Sequence, residues 1–205
     1  SSHEVAQGYK TVKERSAVVR FKLLNEDAYF LVWTTTPWTL PSNVALCVNP
    51  DEDYCKVKAA DGYVYYMAKA LLDKVLSPLV KDDEQKAYDI IETYKGRDLE
   101  NVEYEPLFAC AGESAKKQNK KAHFVTCDGY VTMEDGTGIV HLAPAFGADD
   151  YEVGKRYDLP VVNPVGEDGK YIEGPWAGRF VMEPELEIEI IKWLKENDKL
   201  FKKQK

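Results

Sequence analysis

Three stretches of this sequence set hydroxyls, an imidazole and carboxylates into otherwise apolar surroundings. The first is Trp33-Thr34-Thr35-Thr36-Pro37-Trp38-Thr39-Leu40-Pro41-Ser42-Asn43. Pro37 forces Thr36 into an extended conformation and removes a backbone donor, so a central strand cannot run through it. The chain is expected to leave its sheet here and expose hydroxyls. On residue types alone, four threonines beside two tryptophans fit a β-rich surface as well as they fit a site. The second stretch is Asp135-Gly136-Thr137-Gly138-Ile139-Val140-His141, where two glycines permit close backbone approach ahead of a strand. By pattern, a lone histidine ending an apolar strand is a satisfied core or edge residue before it is a catalyst. The third runs from Ala143 to Glu152 through Pro144, Phe146, Gly147, Asp149 and Asp150. Asp149 followed three residues later by Glu152 reads as a capping box with Asp149 as N-cap, leaving Asp150 on the first helical turn. The helix dipole favours an ionised carboxylate there. Starting a helix accounts for Asp149 in full and for Asp150 only in part.

Other chemistries leave no trace. There is no Gly-x-Ser-x-Gly elbow, P-loop, dinucleotide fingerprint or metal-ligand spacing. His3 is expected in a tail, and neither His123 nor His141 has a serine or cysteine partner evident in sequence. Chemistry here is expected to use water, with no cofactor and no metal. Cys47, Cys55, Cys110 and Cys127 form neither a Cys-x-x-Cys pair nor a dense framework, and they read as free thiols in a reducing compartment.

These stretches must be held by a framework of adequate size. The 205 residues suit a single domain spanning 1–205, and 44 % hydrophobic with 12 % aromatic residues supply a core. A net charge of -8 opposes gripping a long stretch of nucleic acid by phosphate neutralisation, though not contact with a short end. Neither a run of ~20 apolar residues nor a secretory leader is seen, so a soluble, cytoplasmic protein with no membrane partner is expected.

Residues 17–23 and 29–33 predict a hairpin around Asn25-Glu26-Asp27, followed by strands at 44–48, 54–58 and 63–66. Helical spacing follows from Ala68 to Leu76. Strands are expected at 87–94, 123–127 and 138–142, and a helix from about Asp149. Leu186, Ile190, Ile191, Trp193 and Leu194 form the stripe of an amphipathic helix behind Pro184. Gly112 to Lys121, with Lys116, Lys117, Lys120 and Lys121, reads as a solvated loop insertion, or else as a basic loop facing RNA. The expected fold class is α+β, a β-barrel-like core of mostly antiparallel strands decorated with helices.

The Trp33–Asn43 stretch and Gly136-Thr-Gly-Ile-Val-His-Leu-Ala-Pro-Ala-Phe-Gly-Ala-Asp-Asp-Tyr151 resemble the two hallmark stretches of the isoleucyl-tRNA synthetase editing domain, connective polypeptide 1. The loop at Asn49–Tyr54 and the segment Gly154–Pro160 also fall where that family has them. Leucyl and valyl relatives instead resemble Thr-Thr-Arg-Pro-Glu-Thr in the first stretch, so Thr36 and Trp38 favour the isoleucyl branch. The synthetase's activation motifs, His-Ile-Gly-His and Lys-Met-Ser-Lys-Ser, do not occur, which implies an excised insertion that performs no amino-acid activation.

The resemblance implies hydrolysis of valine wrongly esterified to isoleucine tRNA, and of valyl-adenylate. Its partners would be the valine-bearing 3′ acceptor end and the rest of the synthetase chain. Valine lacks one methylene of isoleucine, worth ~0.8 kcal/mol of burial, so one pocket discriminates weakly and a second that excludes the larger residue is useful. Carried over by position, Asp150 would bind the α-ammonium, while Thr34, Thr35 and Thr36 would hold the ester and terminal adenosine. Thr39 and Asn43 would support that loop. His141 would line the side-chain pocket with Trp38 and Phe146, as a size gate more than a base. Editing of another branched aliphatic ester by a valyl- or leucyl-type domain, and a non-catalytic module docking the acceptor end, are the competing readings.

Overall fold

The computed structural model describes residues 15–82 and 85–204. Local pairing follows the apolar runs. β1 (Ser16–Lys22) and β2 (Tyr29–Thr34) form the expected antiparallel hairpin, with Ala17 opposite Thr34 and Lys22 opposite Tyr29. Their apolar residues Val18, Val19, Phe21, Phe30, Leu31 and Val32 are all buried, and because consecutive residues point to opposite faces, both faces of this hairpin are covered. β4 (Asp53–Ala59) pairs antiparallel with β5 (Val64–Ala68) and with the exposed edge strand β6 (Tyr88–Lys95).

Among the described strands five of the eight pairings are antiparallel, in line with the mostly antiparallel expectation, and three parallel pairings make the sheet mixed. β5 runs parallel to the start of β2, through Tyr29 and Phe30, and β8 (Ile139–Leu142) runs parallel to its end, Trp33 lying opposite Val140. β3 (Ala45–Val48), fully buried, lies between β8, antiparallel, and β7 (Phe124–Cys127), parallel. Parallel neighbours need long crossovers, and a sequence displays adjacency only for strands joined by short turns. β9 (Leu200–Gln204), absent from the sequence reading, adds antiparallel to β1. The sheet is curled into a half-barrel, its strand order β6-β4-β5-β2-β8-β3-β7 with β1 and β9 branching from β2.

Among the described residues, four α-helices decorate it. α1 (Leu72–Leu76) is a short α segment between two 3₁₀ turns. α2 (Ala109–Lys117) replaces the expected loop: Ala111 and Ala115, four apart, are its buried stripe, too small to stand out as an amphipathic pattern. Gln118 pins its end by accepting from the Val161 N–H at 3.1 Å and donating to the Val161 carbonyl at 2.9 Å. Residues 116–121 are exposed, as a solvated segment is expected to be, while Lys120 pairs with Asp158 and the Lys121 ammonium sits 4.6 Å from the Phe124 ring centroid. α3 (Ala148–Tyr157) and α4 (Pro184–Glu196) begin near the expected positions. Leu186, Ile190 and Leu194 of α4 join the main core; Val153 of α3 and Ala111 of α2 cover a smaller one against β3, β7 and β8.

All four cysteines are free thiols, three of them buried. Among the described residues, no helix is long and apolar enough to cross a membrane.

Candidate active site

The chain leaves the sheet where Pro37 requires it. β2 ends at Thr34, and a 3₁₀ helix (Pro37–Ser42) starts with Pro37 at its first position, where the missing N–H costs nothing. The Thr34 hydroxyl accepts the Thr36 N–H at 3.1 Å and shapes the bend. Contrary to the expectation of exposed hydroxyls, Thr34 and Thr39 are buried, and only Thr35 and Thr36 are partly open. The loop turns its hydroxyls inward because they satisfy its own backbone. Tyr171, from the irregular segment before α4, holds the 3₁₀ helix from outside by donating to the Trp38 carbonyl.

The second stretch approaches from β8. Gly136 and Gly138 both have positive φ, and a Cβ would meet the Trp33 ring at 2.8 Å from the first and the Ala68 Cβ at 2.3 Å from the second. These two glycines let β8 seat against β2 and β5, which carries His141 to the end of β2. The third stretch departs from the capping-box expectation. Gly147 is the N-cap of α3, with no side-chain cap bond, and Asp149 is exposed on the first turn. Acidic first-turn residues are favoured by the helix dipole whether or not one caps, so the Asp-x-x-Glu spacing fitted both arrangements. Asp150 instead turns back, and its Oδ2 accepts the Ala143 N–H at 2.9 Å.

The three stretches meet around one cleft of about 280 Å³ lined by Thr34, Thr35, Thr36, Trp38, Thr39, His141, Phe146 and Asp150. Asn43 does not line it; buried behind His141, it supports the imidazole. Trp33, Val140, Ala143 and Gly147 also line the cleft and were not singled out from sequence. Gly147 had a readable signal, since a glycine three residues before a carboxylate on a helix start leaves room for that carboxylate. A Cβ there would stand 2.9 Å from Asp150 Cγ. Trp38 and Phe146 pack edge to face at 4.9 Å and form an apolar wall.

Burial dominates the electrostatics. It raises the Asp150 carboxyl above its usual range, with Asp149 adding to the rise and the Ala143 N–H opposing it. Burial pushes the His141 imidazole down to about 4. Its Nε2 lies 2.8 Å from Thr39 Oγ1 and its Nδ1 3.3 Å from Asn43 Nδ2, so both ring nitrogens are engaged within the protein. His123, the other candidate for a dyad, lies away from the cleft. Its Nε2 bonds the Asn43 carbonyl at 3.2 Å, and burial lowers its pKa to about 4 against that bond. Among the described residues, no group of three or more His, Cys, Asp or Glu is placed to hold a metal ion.

A pH dependence follows. Both histidines drop from 6.5 to about 4 on folding, so between those values the unfolded chain binds more protons than the folded one. Stability is expected to be complete above pH 6.5 and to fall as pH drops toward 4. The raised Asp150 carboxyl acts oppositely, holding its proton in the fold to higher pH than in the unfolded chain. NMR titration should find neither imidazole charged at pH 5.5; a midpoint near 6.5 for either would contradict this.

The fold is that of aminoacyl-tRNA synthetase editing domains. The cytosolic leucyl-tRNA synthetase editing domain of P. falciparum superposes with a TM-score of 0.69 at 12 % identity, covering 94 % of this chain and 100 % of that one. That of P. knowlesi gives 0.67 at 13 %, covering 92 % and 95 %. In sequence, the chain is 48 % identical over 204 residues to the isoleucine--tRNA ligase of Picrophilus torridus, and 46 % over 208 residues to that of Clostridium novyi. These alignments cover 98 % and 100 % of this chain, and the chain spans 18 % of the length of either ligase. At such identity along its whole length, the chain is homologous to one segment of the isoleucine--tRNA ligases. No protein-family model matches it.

Proposed function

We propose that this chain hydrolyses valine wrongly esterified to isoleucine tRNA, acting as the editing unit of a cytoplasmic isoleucine--tRNA ligase. The observation that carries the reading is one cleft in which a half-buried carboxylate, three consecutive threonines and an apolar wall converge from stretches about a hundred residues apart. The half-buried Asp150 carboxylate accepts the Ala143 N–H, and the α-ammonium of an aminoacyl ester supplies a charge-assisted partner for it. Thr35 and Thr36 offer hydroxyls to the ester and terminal ribose, and Trp38 with Phe146 receives a small aliphatic side chain. Among the described residues, no side chain in the cleft is a free nucleophile with an adjacent base, so on this reading water attacks the ester carbonyl, positioned by the threonines and the free ribose hydroxyl. Valyl-adenylate presents the same ammonium and acyl group, and is a second substrate on this reading.

The negative net charge is compatible with this role if only the single-stranded 3′ end enters, because few phosphates then need neutralising. The rest of the synthetase would grip the remainder of the tRNA. The test is release of valine from valyl-tRNA(Ile) by this chain, beside isoleucyl-tRNA(Ile) and mischarged valine and leucine tRNAs. Valyl-tRNA(Ile) should be deacylated and isoleucyl-tRNA(Ile) spared. Binding without turnover would identify a docking module instead, and preference for another mischarged tRNA would move the chain to a valyl- or leucyl-type role.

A further inference from the structure

Tyr104 is fully buried behind the cleft, which it does not line, and burial raises its hydroxyl well above its ordinary pKa. That hydroxyl donates to Asn43 Oδ1 at 2.5 Å, while Asn43 Nδ2 donates to the Ala45 carbonyl at 2.9 Å. Held at both ends, the amide has one orientation, and the second hydrogen on Nδ2 faces His141 Nδ1. Nδ1 must therefore accept, which places the proton of the neutral ring on Nε2. Nε2–H donates to Thr39 Oγ1, whose own hydrogen goes to the Thr36 carbonyl at 2.9 Å. The 3.2 Å contact between the Thr36 and Thr39 hydroxyls then has only one sense: Thr36 donates, and its lone pairs are left for the cleft.

We infer that Tyr104 is a remote positioning residue that locks the His141 tautomer through Asn43 and thereby makes the Thr36 hydroxyl an acceptor toward the substrate. The kinetic consequence rests on the ester-pocket reading above; the tautomer does not. An acceptor at Thr36 suits the hydrogens of an ammonium, a ribose hydroxyl or the attacking water, and repels a carbonyl oxygen. Removing the Tyr104 hydroxyl strands the Asn43 oxygen in the interior; turning the amide lets that oxygen accept from an Nδ1-protonated ring but sets it against the Ala45 carbonyl, so neither orientation is fully satisfied and the ring is no longer held to one tautomer.

The experiment is nitrogen NMR of the His141 ring at pH 7 in this chain, in Tyr104→Phe and in Asn43→Asp, with valyl-tRNA(Ile) deacylation measured on the same samples. The unaltered chain should show one neutral tautomer, protonated at Nε2. Tyr104→Phe should lose that single-tautomer spectrum and slow deacylation about tenfold. Asn43→Asp, which offers His141 only acceptors, should move the ring proton to Nδ1, and it keeps the test open if Tyr104→Phe does not fold. An Nδ1-protonated ring in the unaltered chain overturns the inference, as does a Tyr104→Phe protein that is slowed while its His141 spectrum is unchanged. Absence of deacylation in the unaltered chain would instead remove the ester-pocket reading and leave the spectra to decide the positioning.

Discussion

Asp150→Ala is expected to slow valyl-tRNA(Ile) deacylation by ~10²-fold or more while leaving the fold as stable as before or more so. The loss follows from removing the only carboxylate that, among the described residues, lines the cleft, which leaves the substrate ammonium without its charge-assisted partner. The stability expectation follows from the raised Asp150 pKa, which marks a carboxylate kept ionised at a cost to the fold. Asp149→Ala should change neither quantity appreciably, because Asp149 is exposed and caps nothing. A companion change separates the position of the carboxylate from its charge. Gly147→Ala places a Cβ 2.9 Å from Asp150 Cγ, so the carboxylate must shift although nothing ionisable has been removed. Backbone strain is not introduced, since Gly147 has φ -142. Deacylation should fall with the thermal midpoint nearly unchanged. A dead Asp149→Ala protein beside an active Asp150→Ala protein would exchange the two roles.

The contrast between Asp149 and Asp150 also shows where sequence reasoning reaches and where it stops. It singled out Asp150 as the residue that starting a helix did not explain, and the structure turns that side chain back toward Ala143, in the cleft. It misassigned Asp149, because a capping pattern and a first-turn acidic pattern share one spacing, and only the backbone at Gly147 tells them apart. The hairpin of β1 and β2 was legible because both partners lie within a short turn of each other. The parallel contacts of β2 with β5 and β8, the latter setting Trp33 beside Val140 in the cleft, join residues far apart in the chain and left no local signature. Pro37 announced the end of β2, yet the burial of Thr34 and Thr39 depended on which neighbours the loop would meet. Tyr104 was invisible for the same reason: one tyrosine among thirteen, its role set by an asparagine 61 residues away.

Truncating His141 distinguishes a size gate from a general base. A base must have a lone pair aimed at water and a pKa near the working pH, and removing one costs ~10²–10⁴-fold. The His141 ring meets neither condition. Burial lowers its pKa to about 4, and its accepting nitrogen, Nδ1, is taken by the Asn43 amide while Nε2–H is committed to Thr39. What the imidazole contributes to the cleft is volume, beside the Trp38 and Phe146 wall. His141→Ala should therefore slow valyl ester hydrolysis by no more than about tenfold, the loss expected when Thr39 forfeits one hydrogen-bond partner. The space released exceeds one methylene, so the isoleucyl ester, formerly excluded by overlap, should be admitted and cut. The sign of the change in discrimination is thus opposite to that of a weakened enzyme: the ratio of isoleucyl to valyl hydrolysis rises. Both esters should be assayed with the one variant over the same time course, since a single substrate cannot separate the two roles. Lost valyl activity with the isoleucyl ester still spared would overturn the gate and return His141 to the chemistry.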